Sequence, residues 1–306
     1  GKSLVKDPEV LDLLKSNMTG TEDSPVMARA PLLLSESMLF PYREGMSFEQ
    51  DVWMDQGQTA AFAGALDHPP TSSWEILNPR EYEKKHVPAV PLMPNIHPLV
   101  DALYKPYDIG QVGELDVQIL SELLGGDNSA RDLTPAWDGG LYWAGQSRSA
   151  TTAQQATTAS IGLFYLSVWK NAASADVFAK IYSNSLGRKY SLVNELASNT
   201  SAADSSADGS EERAFSTNEG PVVITTRGKM VFIAESFPLP LARKLTSLIF
   251  DAQGVGPVHM AAARPPALSL PADAHASTLT SDLVHFFAQA GVMKSAIDTE
   301  RLALKK

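Results

Sequence analysis

The chain has 306 residues and is acidic, with 35 Asp and Glu against 25 Lys and Arg and a formal net charge of −10. This charge argues against a nucleic-acid partner, which needs a basic surface, and the absence of cysteine excludes a disulfide framework and thiolate metal ligands. Hydrophobic residues make up 44% of the chain, enough for one large or two ordinary packed cores. No apolar run approaches the roughly 20 residues of a membrane-spanning helix.

The N-terminal third of the chain is predicted to be helical. Apolar residues recur at helical spacing over residues 7–17, 28–39, 44–56 and 58–67. Two pairs, Ser47 with Gln50 and Ser72 with Glu75, have the spacing of a capping box, which marks the start of a helix. Gly57 is expected to end the third helix, because glycine readily adopts the left-handed backbone found at helix ends.

The middle of the chain combines a proline-rich segment with one clear helix. Five prolines between residues 86 and 106 predict an extended segment, of the kind that forms a strap across a groove. Leucine and isoleucine recur on one face over residues 113–124 and predict a helix that ends at Gly125. A shorter helix is expected over residues 128–137.

After Trp137 the pattern changes to mixed strands and helices. Strands are predicted over residues 141–144, 161–169, 221–226 and 229–235, with helices over 174–186 and 238–251. This β-β-α-β-β-α order predicts an α+β fold, in which a helical N-terminal portion precedes a small antiparallel sheet covered by helices on one side. The predicted portions are residues 1–136, 137–253 and 254–306, the last a Pro/Ala-rich linker and a C-terminal helix over 282–290.

Two low-complexity stretches interrupt this part of the chain. Residues 147–160 are rich in Ser, Thr, Ala and Gln and are expected to form a loop. Residues 198–212 are rich in Ser, Ala and Asp and are expected to be disordered.

Three short motifs lie in the first half of the chain. The first is Phe40-Pro41-Tyr42 with Gly45, and the third is Gly113-Glu114-Leu115. The second has its members at Pro69, Pro70, Thr71, Glu75, Ile76, Leu77, Pro79 and Tyr82. In this combination the chain, from about residue 31 to about residue 250, resembles a family of bacterial zinc-metallopeptidase-like proteins. Trp137, Asp138, Gly139 and Tyr142 continue the resemblance.

The zinc-binding H-E-x-x-H helix of that family is absent from this chain. H-E-x-x-H places two histidines one turn apart on one helix face, with the glutamate as general base. None of the six histidines here is followed by Glu, and no two have this spacing. The resemblance therefore implies the C-terminal portion of a longer protein, or a descendant that lost the site. Gly1 in place of Met suggests a processed or cut chain, although a tag remnant would also leave it.

The resemblance also sets expectations for cofactor, partner and location. It implies a non-catalytic portion that helps to shape a peptide-substrate cleft. No cofactor is expected in this chain, and zinc is expected only where the missing N-terminal part is present. The expected partner is a peptide substrate or that missing part. The resemblance also implies an exported or periplasmic protein, or one with a membrane-attached parent.

Tyr42, Arg43 and Glu44 are the candidate catalytic residues. They follow the start of the first motif, at a predicted helix entrance. A tyrosine or arginine in such a place can face a cleft and stabilise an oxyanion. The alternative, which we prefer, is that Pro41 and Tyr42 cap the helix while Arg43 and Glu44 are solvated charges.

Glu114, Asp138 and Tyr142 are the candidate binding residues. Glu114 and Asp116 are two positions apart on a helix and point to different faces, so an acid–base pair is disfavoured. Glu114 in the first turn suits the helix dipole. Asp138 could hold a metal or a hydroxyl, but an Asp-Gly-Gly sequence is more often a turn into a strand. Tyr142 could line a groove, but aromatic residues in strands are usually core.

Other classes of site find no support in the sequence. His86 and His97 flank the proline-rich segment without metal-ligand spacing, and the chain has no nucleophile elbow and no phosphate-binding glycine loop. A second hypothesis is therefore a peptide- or protein-binding module of the cell envelope without enzymatic activity, in which the sheet and the proline-rich strap form a groove. A third is a scaffold component of a cell-envelope assembly.

Overall fold

The computed structural model of the protein describes Leu13, residues 29–197 and residues 209–254. Its contacts divide the chain into two compact units. The first comprises the residues up to Pro88 together with Gly113–Leu115, and the second comprises Ala89–Val112 and the residues from Asp116 onward. The boundaries predicted at residues 136 and 253 stay a prediction.

Some expectations fall outside the described residues. These are the helix over 7–17 except Leu13, the linker over 254–274 except Gly254, and the helix over 282–290. Of the helices that the structure describes, none is long and apolar enough to cross a membrane.

The first unit is helical. Its elements are α1 (Leu32–Gln56), a π-helical turn (Ala60–Gly64), α2 (Ala65–Asp67), α3 (Ser73–Leu77) and α4 (Pro79–Glu83). Its core comprises Phe48, Val52, Ala61 and Ala65, with Trp53, Ala60, Ile76 and Tyr82 packed against them. The apolar spacing thus marks the buried side of α1 at Phe48 and Val52, whereas Phe62 and Leu66, in the following turns, are exposed.

Helix α1 corrects the prediction of two helices separated near Pro41. Pro41 lies inside one continuous helix of 25 residues. Proline removes one backbone donor and favours a kink, but packing of the apolar face on both sides of it can maintain the helix. Ser47 is consequently no helix cap, since its Oγ donates to the Arg43 carbonyl at 3.0 Å within the helix. Gly57 does end the helix, with φ +92°.

The second capping box is confirmed at the start of α3. The Glu75 N–H donates to Ser72 Oγ at 3.4 Å, and Glu75 Oε2 accepts from the Ser72 N–H at 3.1 Å. The same carboxylate accepts from the Thr71 hydroxyl at 2.9 Å. Helix α3 ends at Leu77, and Pro79 occupies the first turn of α4, where its missing N–H costs nothing.

The second unit contains the sheet and its covering helices. Its helices are α5 (His97–Val100), α6 (Glu114–Gly125, whose first two residues belong to the first unit), α7 (Asp127–Leu133), α8 (Thr152–Gln155), α9 (Ala172–Lys189) and α10 (Leu239–Ala252), with 3-10 turns at Thr134–Ala136 and Thr158–Ser160. Its strands are β1 (Tyr104–Gln111), β2 (Trp137–Ser147), β3 (Ile161–Trp169), β4 (Val193–Glu195), β5 (Ser210–Thr217), β6 (Gly220–Arg227) and β7 (Met230–Glu235).

The strands form one antiparallel sheet in the order β1-β2-β3-β7-β6-β5-β4. Helix α9 connects β3 to β4 at the opposite edge, and the chain then returns strand by strand until β7 pairs with β3. The α+β class is as predicted. The finer β-β-α-β-β-α order is not confirmed, because β1, β4 and β5 also belong to the sheet.

Both faces of the sheet are covered, whereas one covered face was expected. On one face, α10 and the proline-rich segment pack on the strands through Ile96, Val100, Tyr104, Leu141, Trp143, Phe164, Leu166, Val223, Phe232, Leu241, Leu245 and Ile249. On the other face, the Phe178 ring of α9 lies 4.9 Å from Trp169 and 6.2 Å from Tyr165. All nine residues of β3 are buried as a result.

Two stretches expected to be irregular contain regular structure. The predicted disordered segment over 198–212 ends in the first residues of β5, and the structure does not describe its residues 198–208. The predicted loop over 147–160 contains α8 and a 3-10 turn. Strand β5 pairs with β6 along its whole length, from Thr217 with Gly220 to Ser210 with Arg227, so this hairpin makes it a strand despite its composition.

Asp138, Gly139 and Gly140 lie inside β2 and do not form the turn that was expected. The strand register shifts between Trp137 and Gly139. There the Ala89 N–H donates to the Asp138 carbonyl at 2.7 Å. A Cβ on Gly139 would lie 2.0 Å from the Ala89 carbonyl oxygen, so this close approach requires glycine.

Strand β1 is an edge strand whose outer side is blocked. The Leu103 carbonyl accepts from the Arg148 N–H across β2 at 2.9 Å, so by alternation the backbone groups of Pro106 point away from the sheet. Pro106 has no N–H to offer there, and the Ile109 N–H donates to the Asp108 carboxylate at 2.8 Å. A proline, a charge and a bulge are the features by which edge strands avoid pairing with other chains.

We predict that the double substitution Pro106→Val and Asp108→Thr makes the protein self-associate through β1. Pro106→Val gives the strand an outward N–H at residue 106. Asp108→Thr removes the carboxylate that accepts the Ile109 N–H, so the outer sides of two β1 strands can pair. Analytical ultracentrifugation should show a larger dimer fraction than in the unsubstituted protein at equal concentration. Gln111→Thr, which changes the edge but leaves both blocks, is the control. Equal sedimentation of all three proteins would show that Pro106 and Asp108 do not protect the edge.

Candidate functional site

Tyr42, Arg43 and Glu44 lie in the middle of α1 and not at its entrance. Arg43 Nη2 donates to Glu36 Oε2 at 2.5 Å, and its Nε donates to Glu44 Oε1 at 2.8 Å. Burial lowers the pKa of Arg43, but the hydrogen bonds and charges of the two glutamates outweigh burial, so that its pKa is raised. Arg43 and Glu44 are therefore paired within the helix and are not the solvated charges that were expected.

Tyr42 is the exposed member of this group. Its side chain is 61% exposed, and Met38, one turn earlier on the same side of α1, is 56% exposed. Neither Tyr42 nor Glu44 is part of the buried core. The structure thus leaves Tyr42 accessible while Arg43 and Glu44 bond to each other.

Glu114 begins α6 as a buried carboxylate. Asn78, at the end of α3, donates its Nδ2 to Glu114 Oε2 at 2.5 Å, and the Leu115 N–H donates to Ser73 Oγ at 3.3 Å. The side chain of Asn78 also donates to the Trp74 carbonyl at 2.9 Å. These bonds join the third sequence motif to the second.

The first motif lies on the helix that packs against the second. The Phe48 ring of α1 contacts the Tyr82 ring edge to face, with centroids 5.0 Å apart. Tyr82 donates its hydroxyl to the His68 carbonyl at 2.5 Å, and burial raises its pKa, helped by the charges of Glu75 and Glu49. The three motifs are thus held within one small unit by hydrogen bonds and ring contacts.

Tyr142 and Asp138 lie on β2, in the second unit. Tyr142 is buried, as expected for a core aromatic residue, and its hydroxyl donates to Asp108 Oδ2 at 2.8 Å. Gly110 lies directly beneath the ring, since a Cβ there would be 2.9 Å from it. Asp138 is half-buried at the bulge. Tyr142 therefore closes the edge of the core, beside Asp108 of β1.

The two histidines near the proline-rich segment each face one carboxylate. His86 Nδ1 lies 2.6 Å from Glu81 Oε2, and His97 Nδ1 lies 3.1 Å from Asp101 Oδ1, both at exposed positions. Over residues 29–197 and 209–254, no group of three or more His, Asp and Glu side chains is placed to hold a metal ion. The residues that the structure describes therefore do not fit a zinc site.

A buried polar cluster around Glu235 was missed by sequence reasoning. Glu235 ends β7 and accepts hydrogen bonds from the Tyr182 hydroxyl at 2.6 Å and the Tyr190 hydroxyl at 3.0 Å, and Lys189 forms an ion pair with it. Burial raises the pKa of both tyrosines well above the ordinary value, and the charge of Glu235 adds to this. The cluster ties the C-terminal end of α9 to the sheet. One feature of the sequence could have indicated this cluster: an acidic residue, Glu235, is the last residue of an otherwise apolar strand.

An open groove of about 540 Å³ lies between the proline-rich segment and α10. Asn95, Pro98 and Leu99 line one side, and Arg243, Lys244, Ser247 and Leu248 line the other. The floor is apolar and two cations stand at the rim. The proline-rich segment thus borders a groove, which is what the strap hypothesis requires.

Comparison of the chain with protein-family models, with curated proteins and with solved structures gives no match. The fold and the site define an α+β protein with a helical unit and a seven-stranded sheet.

We predict that the bond between Asn78 and Glu114 stabilises the helical unit. Asn78→Ala and Glu114→Ala should each lower the free energy of unfolding by about 1–3 kcal/mol, because each removes the hydrogen bond between the buried Glu114 carboxylate and the half-buried Asn78 amide. The double variant should lose less than the sum of the two, as expected for residues in contact. Urea unfolding measures all three, with the exposed Asp67→Ala as control. Additive losses would show that the two side chains do not interact.

We predict a steep loss of stability above about pH 10. Tyrosines 182 and 190 keep their protons in the folded state, while an unfolded tyrosine loses its proton near pH 10. The unfolded state then binds fewer protons, so stability is complete below the unfolded pKa and falls by about 1.4 kcal/mol per pH unit for each tyrosine. The free energy of unfolding is measured in urea from pH 9 to 11. Tyr182→Phe should make its fall with pH less steep, because one of the two titrating tyrosines is gone. Tyr107→Phe, at an exposed position of β1, should retain the original slope; equal slopes in both variants would contradict the prediction.

Proposed function

We propose that this chain is a non-catalytic portion of a metallopeptidase-like protein that helps to shape a peptide-substrate cleft and has no zinc site of its own. One observation carries the proposal. The motif segments that resemble the family are joined to one another within the helical unit, through Asn78 with Glu114, Ser73 with Leu115, and the α1 helix with Tyr82. Chain segments that are joined in this way, by motif residues and by their sequence neighbours, suit a scaffold.

The polar groups of the motifs support the same conclusion. Glu75 is engaged in the α3 capping box, Glu114 accepts from Asn78, and Arg43 bonds to two glutamates. A general base or an oxyanion donor needs a free lone pair or N–H directed at the substrate. Side chains already used in internal bonds suit a structural role better than a catalytic one.

The exposed side of α1 suits a cleft wall. Met38 and Tyr42 project from it one turn apart, and the paired Arg43 and Glu44 lie beside them. A wall of this kind would contact a peptide or the catalytic part through an amphipathic ring with a polar tip. A wall of this kind needs no zinc ligand from this chain.

The test is metal content and peptidase activity. We expect the purified chain to bind no stoichiometric zinc by elemental analysis after dialysis against zinc, and to cleave no unfolded protein substrate. The full product of its reading frame, measured in parallel, is expected to contain about one zinc per chain from an H-E-x-x-H helix. Zinc at one per chain in the purified chain itself would overturn the proposal, because it would reveal a site built from scattered ligands.

A second candidate function is a peptide- or protein-binding module of the cell envelope without enzymatic activity. The groove between the proline-rich segment and α10 favours it. Ligand sites are mostly apolar with a few polar groups that fix orientation, and several classes of peptide-binding domain dock their peptide in an apolar groove. Absence of zinc and of an H-E-x-x-H sequence from the full product of the reading frame would make this candidate the leading one.

A further inference from the structure

The proline-rich segment, which forms one wall of the groove beside α10, is fixed in place at both ends. Gln253, at the end of α10, donates its Nε2 to the Leu92 carbonyl at 2.8 Å, and its Oε1 accepts from the Leu92 N–H at 2.9 Å. Farther along the same wall, Ile96 and Val100 are buried in the core that α10 also joins. The wall is therefore anchored at both ends, and a ligand would not have to order it on binding.

The groove combines an apolar floor with a cationic rim. Leu99 from one wall and Leu248 from the other, both partly buried against the core, provide the floor, and the exposed Pro98 lies beside them. The rim carries Arg243 and Lys244, one after the other on α10. An extended peptide could place an aliphatic or aromatic side chain on the floor while its neighbour in sequence reaches the rim.

The two cations of the rim differ in their surroundings. Arg243 donates from Nε and Nη2 to Glu212 Oε1 at 3.0 and 2.8 Å, so its guanidinium is held in place and partly neutralised. Lys244 is exposed, and within residues 29–197 and 209–254 it forms no ion pair at 4.0 Å or less. In a chain with a net charge of −10, a cation at the edge of an apolar groove selects for a carboxylate over an ammonium group.

We propose that this groove binds an extended segment of another protein in which a carboxylate lies next to an aliphatic or aromatic side chain. The apolar side chain lies on Leu99 and Leu248, and the carboxylate pairs with Lys244 at the rim. This inference rests on the binding-module function proposed above and names its ligand class.

The first experiment compares two labelled peptides. The probes are a fluorescein-labelled hexapeptide of alternating glutamate and leucine and a matched hexapeptide of alternating lysine and leucine. Fluorescence anisotropy with the full chain should show saturable binding of the glutamate peptide and much weaker binding of the lysine peptide. Because the contact is electrostatic and exposed, the preference should shrink as salt is raised.

The second experiment assigns the site. Lys244→Glu should weaken binding of the glutamate peptide by about tenfold, because it replaces an attraction with a repulsion. Lys180→Glu is the matched control: it makes the same charge change at an exposed position of α9, which packs on the other face of the sheet, and it should leave the affinity unchanged. Ser247→Trp should fill the groove and abolish binding of both peptides, with an unchanged circular dichroism spectrum.

The outcomes separate the ligand class from the binding function. Binding of both peptides with equal affinity, lost in Ser247→Trp, would overturn the acidic specificity and leave peptide binding by the groove intact. Binding that survives Ser247→Trp, or falls equally in Lys180→Glu and Lys244→Glu, would overturn the groove as the site. No binding of either peptide would overturn the inference together with the binding-module function.

Discussion

The burial of strand β3 on both faces is the constraint on which the second unit depends. All nine of its residues are buried, so each face of the sheet needs its own cover. Helix α9 covers one face through Phe178, and α10 covers the other through Leu245 and Ile249. Each fully buried Phe or Leu side chain contributes about 1.5–3 kcal/mol. The strand Ile161–Trp169 therefore requires a cover on each face of the sheet, and α9 and α10 supply these covers.

The same constraint produces the groove. Helix α10 contacts the sheet near β6 and β7, so the strands toward β1 need a second cover, which the proline-rich segment supplies through Ile96 and Val100. Ile96 and Val100 lie at the two ends of the short helix α5, and Pro98 suits its first turn, where a missing N–H breaks no helical hydrogen bond. The two covers meet at their exposed edges, and Gln253 fixes their spacing there. The groove is thus a consequence of covering one wide face with two separate elements.

The sequence predicted those elements whose formation depends on residues close together in the chain. The helix of Glu114–Gly125, the strand β3, the β6–β7 hairpin and the capping box at Ser72 all depend on residues close together in sequence, and all were predicted. Strands β1 and β5 were missed because their own residues give no strand pattern: β1 contains Pro106 and β5 begins with polar and charged residues, and their pairing with β2 and β6 overrides this. Pro41 was misread because packing of α1 outweighs the loss of one backbone hydrogen bond. Among the site candidates, the exposure of Tyr42 and the internal pairing of Arg43 depend on distances that spacing along the chain does not give.

The buried carboxylates Glu114 and Glu235 are paired with residues of other elements, and this bears on the proposed role. A buried carboxylate must be paired, because burial of an uncompensated charge costs several kcal/mol. Glu235 is satisfied by two tyrosines and a lysine, and Glu114 receives a hydrogen bond from Asn78. In both cases the partners come from a different element, so each carboxylate joins two elements and has little freedom left for proton transfer. The groups that remain available for recognition lie at the surface instead, and Lys244 beside an apolar groove is the clearest of them. The proposed pairing of Lys244 with a carboxylate of another chain uses one of these surface groups and disturbs neither buried carboxylate.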